Sequence, residues 1–317
     1  MAIILGINMA REQLGICTEA NLHGSYLLLN ALEGQERQLR YKLARLPALI
    51  ERLADHFSEA MLTSVIAIGS NFWDSLYPDT RPFGLVPFPD PQNSEHELAA
   101  TPIDLFIQIR SDRQDVNYIA CQQVLQLLET NIEIQDLIQG FRYLDGRNLM
   151  GFIDGASNIN GRLKRQVALV DQELQPLLAA GSYVFVQQVI YDLKAWQQLT
   201  VAEQEAVMGV DKVSGKALAT DVLAEDSHWA LTQQTANNPT EMLLKQNMPY
   251  AQLKQQGNIE VSFAATAEVL EQHVLRRLAV TSEADAPDQL LGYCQFACSA
   301  AFYAPSISFL ELAIGHP

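Results

Sequence analysis

The chain has no apolar run approaching the ~20 residues that a membrane-spanning helix needs. Positive charge is scarce as well. Lysine and arginine number 21 against 37 aspartates and glutamates in 317 residues, a formal net charge of −16, and a surface of that sign repels a phosphate backbone and an anionic leaflet alike. The expectation is a protein that meets neither nucleic acid nor membrane. Cysteine is sparse: Cys17 and Cys121 stand alone, and Cys294 and Cys298 form a C-x3-C pair with no histidine beside it. Neither a disulfide framework nor a zinc site fits that usage, and the pair reads as buried thiols on a strand or helix. The opening MAIILGINMAREQLG lacks the basic region of a secretory signal and reads as a first strand. The expected compartment is the cytoplasm.

Apolar residues make up 48% and charged residues 18%, the balance of a folded globular chain, and the length suits two domains. Strands are predicted at 3–8, 14–20, 103–112, 181–193 and 257–266, and a further buried one in the apolar run that opens at 61 and stops at Gly69. Helical spacing marks 37–57, with Pro47 as a fresh start inside it, and also 114–130, 199–209 and 267–280. Residues 24–31 suit either state, and the proline-studded 79–102 is a long loop. Strands interleaved with helices in both halves predict a tandem α+β pseudo-repeat, split near residues 140–150.

Two short segments carry candidate chemistry. In NLMGFIDGASNING, residues 148–161, Asp154 lies between Gly151 and Gly155; glycines there let the backbone approach a planar ligand with the aspartate over it. An ordinary Asp-Gly turn accounts for the same residues. None of the six histidines has a second ligand at metal spacing. His228, in LAEDSHWALTQ, follows Glu225 and Asp226 and precedes Trp229. One imidazole holds free zinc poorly, but it suffices as the axial ligand of a haem whose porphyrin supplies four nitrogens.

In order and spacing, GFIDGASN (151–158), GSYVFVQQVIYDLKAWQQLTVAEQEAVMG (181–209), SHWAL (227–231) and KQNMPYA (245–251) resemble the dye-decolourising peroxidases, most closely their bacterial B-type group. FWDSLYP, RPFGLVPFP and AFYAPSISFLELA extend the resemblance over nearly the whole chain. It implies an α+β fold of two ferredoxin-like halves, of the dimeric α+β barrel type, with helices packed outside antiparallel sheets. Residues 1–145 would form the first half, and 146–317 the second, which carries haem b (iron protoporphyrin IX). The implied activity is reduction of hydrogen peroxide with oxidation of a small-molecule reductant, dye-like or phenol-like, by a homo-oligomer. Carried over residue by residue, His228 matches the proximal iron ligand, Asp154 the distal aspartate and Asn247 the distal asparagine. Ile153, Gly155, Ala156, Ser157 and Met248 would join His228 in binding the cofactor. Two positions depart from the family. Lys245 stands at the distal arginine, and Val210 where an arginine commonly supports the haem environment, with Lys212 nearby.

Peroxide cleavage requires a proton to pass from one oxygen to the other, which a distal carboxylate can carry. A neighbouring cation stabilises the charge that develops on the leaving oxygen. Lysine brings that charge without the planar fork of arginine, so weaker cleavage is expected. A carboxylate on the far nitrogen of the proximal imidazole would enrich its electron density, and Glu225 and Asp226 are the candidates adjacent in sequence. Trp73, Trp196, Trp229 and the ten tyrosines are electron relays or plain packing material. The acidic surface suits a cationic reductant or manganese. The competing class is a haem-binding protein, weakened as a peroxidase by Lys245 and Val210, that serves haem storage, transfer or sensing; a third is the same fold without haem.

Overall fold

Alternation along β1 (His23–Ala31) sets the architecture: Tyr26 and Leu28 enter one core, while Leu27 and Leu29 enter another, as the two-residue period of a strand requires. The computed structural model describes residues 10–92, 94, 96–154, 159–233, 239–280 and 286–312, so the expected strand at 3–8 lies outside the described residues. The further strands are β2 (Thr63–Gly69), β3 (Leu105–Ser111), β4 (Ile132–Phe141), β5 (Ser182–Tyr191), β6 (Leu244–Lys245), β7 (Met248–Ala251), β8 (Gln256–Ala264) and β9 (Cys294–Ala304). All pair antiparallel in the order β5-β9-β2-β3-β1-β4-β7-β8-β6, and β5 also pairs with β8. That second pairing closes the sheet into a barrel, in which β6 continues β7 along the same edge of β8.

One core fills the barrel, with Tyr26, Phe106, Val184, Met248, Ile259 and Phe302 in it. Another lies outside, where Leu39, Ile50, Val116 and Leu270 from four helices cover the sheet. A third, smaller cluster includes Phe152, Tyr191, Trp196, Met208 and Val210. The fold is α+β with an antiparallel sheet and outer helices, as expected. Strands β1–β4 and β5–β9 meet at two short seams, Ile68↔Tyr303 and Gly69↔Phe302 between β2 and β9, and Gly140↔Tyr250 between β4 and β7.

Pro47 does restart the first long helix, which divides into Glu36–Leu43 and Leu46–His56; a proline in the first turn costs no helical hydrogen bond. Residues 24–31 resolve as strand, and 79–102 is loop in its described residues but for a single bridge from Ala100 to Ser299. The expected strand at 14–20 is absent: Leu14–Ile16 is a 3-10 turn. Its course follows from Gln13, whose amide donates to the carbonyls of Ile66 and Pro305 and accepts from the Ile66 N–H. The chain is thereby pinned across β2 rather than along it. Alternation in β3 predicted a half-buried strand, yet all seven residues are buried, because Gln108 and Arg110 point into the barrel side and not to solvent. All four cysteines are free thiols, with Cys298 buried and Cys294 partly so on β9. No described helix is long and apolar enough to cross a membrane.

Candidate active site

His228 opens a five-residue helix, His228–Thr232. The preceding helix, Val201–Met208, starts at a capping box between Thr200 and Glu203 and ends at Gly209 with φ 72°. A Cβ at Gly209 would lie 2.6 Å from Ser227 Oγ and 3.0 Å from Trp229 Cβ. Only glycine lets that helix end against the turn presenting His228, and only glycine takes this φ without strain.

The imidazole is fixed from behind. His228 Nδ1 lies 2.8 Å from Asp288 Oδ2, the same oxygen that accepts from Arg277 Nε at 2.8 Å, while Asp288 Oδ1 accepts the Leu290 N–H at 3.0 Å. Burial opposes a charge on Asp288, but the His228 and Arg277 charges and hydrogen bonds outweigh it and hold the carboxyl well below its usual range. An ionised Asp288 only accepts, so the hydrogen of this contact is on Nδ1, and in the neutral ring that leaves the lone pair on Nε2. That corrects the expected partner: neither Glu225 nor Asp226 serves, and Asp226 instead receives Gln289 Nε2 at 2.6 Å.

His228 lines a cavity of about 390 Å³ that is shared with Asp154, Lys245 and Asn247 and flanked by Met208, Val210, Trp229 and Leu290. Asp154 accepts Asn258 Nδ2 at 3.0 Å and Asn247 Nδ2 at 3.3 Å. Burial raises its carboxyl, with Glu260 adding to the rise and the two amides and Lys245 opposing it. For Lys245 the order is similar: burial lowers its ammonium, and the Glu260 and Asp154 charges push it back up. Glu260 also lies 3.6 Å from Arg277 Nη1. One carboxylate therefore stands between the cation behind His228 and the cation across the cavity.

Asp154, Lys245, Asn247, Ile153 and His228 are thus brought to one place. Met248 is not: it is buried in the barrel core, with its sulfur against Gly24 and Gly140, because strand alternation sends Gln246 and Met248 inward where Lys245 and Asn247 face the cavity. Gly155, Ala156 and Ser157 lie outside the described residues. Gly151 serves the turn itself, at φ 91° with a would-be Cβ 2.9 Å from Lys212 Cε. Lys212 offers no replacement for an arginine at Val210. Its ammonium bonds Gln204 Oε1 and sits 5.3 Å from the Phe152 ring centroid, whereas Lys216, seven residues past Gly209, lines the cavity. The residues missed in the sequence are Asp288, Arg277, Asn258 and Glu260. The last two were detectable, as the polar positions alternating with Ile259 and Val261 along β8.

A haem fits these residues. His228, its Nδ1 engaged by Asp288, lines a cavity with apolar flanks, and Asn247 Oδ1 and Asn258 Oδ1 are buried without hydrogen-bond partners among the described residues. Among the described residues no three His, Cys, Asp or Glu side chains gather as a metal site, so an iron on His228 would take its other ligands from a prosthetic group.

Comparison with known proteins agrees. Residues 13–142 match the family profile Dyp-type peroxidase, N-terminal, and residues 145–309 the profile Dyp-type peroxidase, C-terminal. The dye-decolorizing peroxidase of Mycolicibacterium paratuberculosis is 30% identical over 90% of this chain and 81% of its own length. A Dyp-type peroxidase structure from Shewanella oneidensis superposes with a TM-score of 0.91 at 35% identity, covering 96% of this chain and 99% of that one. A Rhodococcus jostii RHA1 DypB variant in complex with heme superposes with 0.88 at 26% identity, covering 95% and 99%. The chain belongs to the Dyp-type peroxidases, haem enzymes that reduce peroxide at the expense of a second substrate. A haem store, carrier or sensor is not favoured by these matches.

Proposed function

We propose that this chain reduces hydrogen peroxide on a haem b bound through His228, with Asp154 as the proton carrier, Lys245 as the stabilising cation and Asn247 as an orienting amide. The carrying observation is the arrangement of His228, with Nδ1 committed to Asp288 and the residue lining one cavity with Asp154 and Lys245. Haem, when bound, supplies the iron at which peroxide is cleaved and the oxidising equivalents that small dye-like or phenol-like reductants then consume. Asp154 would take a proton from one peroxide oxygen and return it to the other, which leaves as water. The charge developing on that oxygen is met by the Lys245 ammonium in a pocket of restricted water, where a fixed cation is worth most. Asn258 and Asn247 hold the carboxylate in place through one amide each. Val210 gives the pocket an apolar side, and Lys216 is a further cation that lines it.

The strand orders β4-β1-β3-β2 and β9-β5-β8-β7 support two ferredoxin-like halves, 1–145 and 146–317, with the haem in the second. Four free thiols support a reducing cytoplasm. Phe83, Leu174 and Leu177 are each at least two-thirds exposed around the hydrogen bond from the Phe83 N–H to Gln175, which supports burial of that face in a homo-oligomer. The experiment is His228→Ala in the full chain: the purified variant should lose the violet absorbance of bound haem. Full haem occupancy would sink the assignment.

A further inference from the structure

The distal residues form a partition with a second space behind it. At the end of the barrel where β1 begins and β3 and β4 finish, a cavity of about 260 Å³ shares Ile153, Asp154, Lys245 and Asn247 with the His228 cavity. Five cations and three carboxylates line it. Lys164 pairs with Glu19 at 2.8 Å, Arg147 pairs with Asp145 at 2.9 Å, and Lys245 and Asp154 feel each other's charge. Arg110 and Arg142 are left over, and neither has a carboxylate within 4.0 Å among the described residues.

Arg110 is the unusual one. It is 2% exposed, and of its five N–H donors one reaches a described side chain, Nη1 to Gln246 Oε1 at 3.2 Å, while Nε is buried with no partner. Gln246 cannot turn to help further, because its amide nitrogen donates to the carbonyls of Gly15 and Ile16 at 2.9 and 2.7 Å and its oxygen already takes Gln108 Nε2 at 2.8 Å. A guanidinium removed from water without a counter-charge is costly. In a protein of net charge −16, this is where an anion gains most. Leu244, Met248 and Pro249 give the wall an apolar patch, and the volume falls just below the ~300–1,000 Å³ of common small-molecule pockets.

We infer that this second cavity binds a small aromatic acid, its carboxylate toward Arg110 and Arg142 and its ring against the apolar patch of Leu244, Met248 and Pro249, as the reductant of the peroxidase. The inference deepens the function proposed above and rests on it. Its charge preference is the reverse of the cationic reductant that the overall charge suggests. A phenolic acid seated there is one layer of side chains from the His228 cavity; two such molecules each give up one electron and the phenolic proton, and one hydrogen peroxide becomes two waters.

The test is calorimetric titration of the haem-loaded full chain, without peroxide and at low ionic strength, with vanillate and with its uncharged methyl ester. A charge-assisted hydrogen bond to a buried guanidinium predicts that the acid binds about tenfold more tightly or better. Arg142→Glu, at an exposed position, should weaken the acid by roughly threefold or more and leave the ester unchanged. Arg110→Met should remove the preference for the acid; if that variant does not fold, the ester comparison and Arg142→Glu decide. Equal binding of acid and ester, or acid binding indifferent to Arg142→Glu, overturns the inference. Haem absorbance recorded on the same samples reports on the peroxidase reading separately, since a chain without haem and a haem-loaded chain without acid preference are different results.

Discussion

The two walls of the His228 cavity are built differently. Behind His228 the charges interlock: Asp288 receives the imidazole and Arg277, each at 2.8 Å, and none of its oxygens faces solvent. Across the cavity Asp154 is held by two amides at 3.0 and 3.3 Å whose own oxygens have no partners. One wall is complete before anything binds; the other keeps polar atoms in reserve for a ligand. The first should therefore govern stability and cofactor retention, and the second the rate of reaction with peroxide.

The sharpest way to break that contrast is Asp288→Asn. Removing the charge leaves Arg277 buried beside a neutral amide, with Glu260 at 3.6 Å as its remaining carboxylate, and loss of a buried partner costs about 3 kcal/mol or more. Urea unfolding of the purified chain should show that loss together with weaker haem retention. An unchanged midpoint would mean that the wall behind His228 is no more rigid than the one opposite. Asp154→Asn should act in the opposite sense, keeping haem and stability while slowing the peroxide reaction by roughly 10² to 10⁴, measured by stopped-flow absorbance. A normal rate would move proton transfer to water or to Lys245.

What could be read from the sequence follows the same division. Asp154, His228, Lys245 and Asn247 lie in short local motifs, so a family resemblance carries them over. Asp288 is 60 residues from His228 in the chain and reaches it only because helix Ala267–Arg277 returns over the sheet; no local pattern announces such a partner, and the acidic pair next to His228 was the natural but wrong choice. Strands β4 and β9 escaped for compositional reasons. IEIQDLIQGF alternates too weakly, with much of its length exposed, and CQFACSAAFYA is rich in small residues of modest strand preference. The turn at 14–16 was hidden because a single glutamine side chain, and not propensity, decides its course.

Lys245 gives a smaller effect. If loose geometry is its defect, Lys245→Arg should speed the peroxide reaction by supplying a two-pronged donor, and Lys245→Met should slow it; equal rates in all three proteins would remove the lysine from catalysis. The smallest expected change is a displacement in pH. Asp154 must be ionised to accept a proton, so the rate falls as pH drops through its raised value; Lys245 must be charged, so the rate falls again as pH rises through its lowered value. Glu260 raises both groups. Glu260→Gln should therefore move both limbs of the profile to lower pH, and a limb that does not move down would show that Glu260 does not act through its charge on the group that sets that limb.

The closed ring of strands has a consequence for dissection. Cutting the chain between its halves would strip β2 and β4 of their neighbours β9 and β7, and would bare β7 and β9 in turn. Unpaired edges of that kind recruit other strands, so each fragment alone should precipitate while the two expressed together should reassemble. By the same logic a chain carrying strands β1–β4 alone would have no solitary soluble form and would have to meet a copy of itself edge to edge.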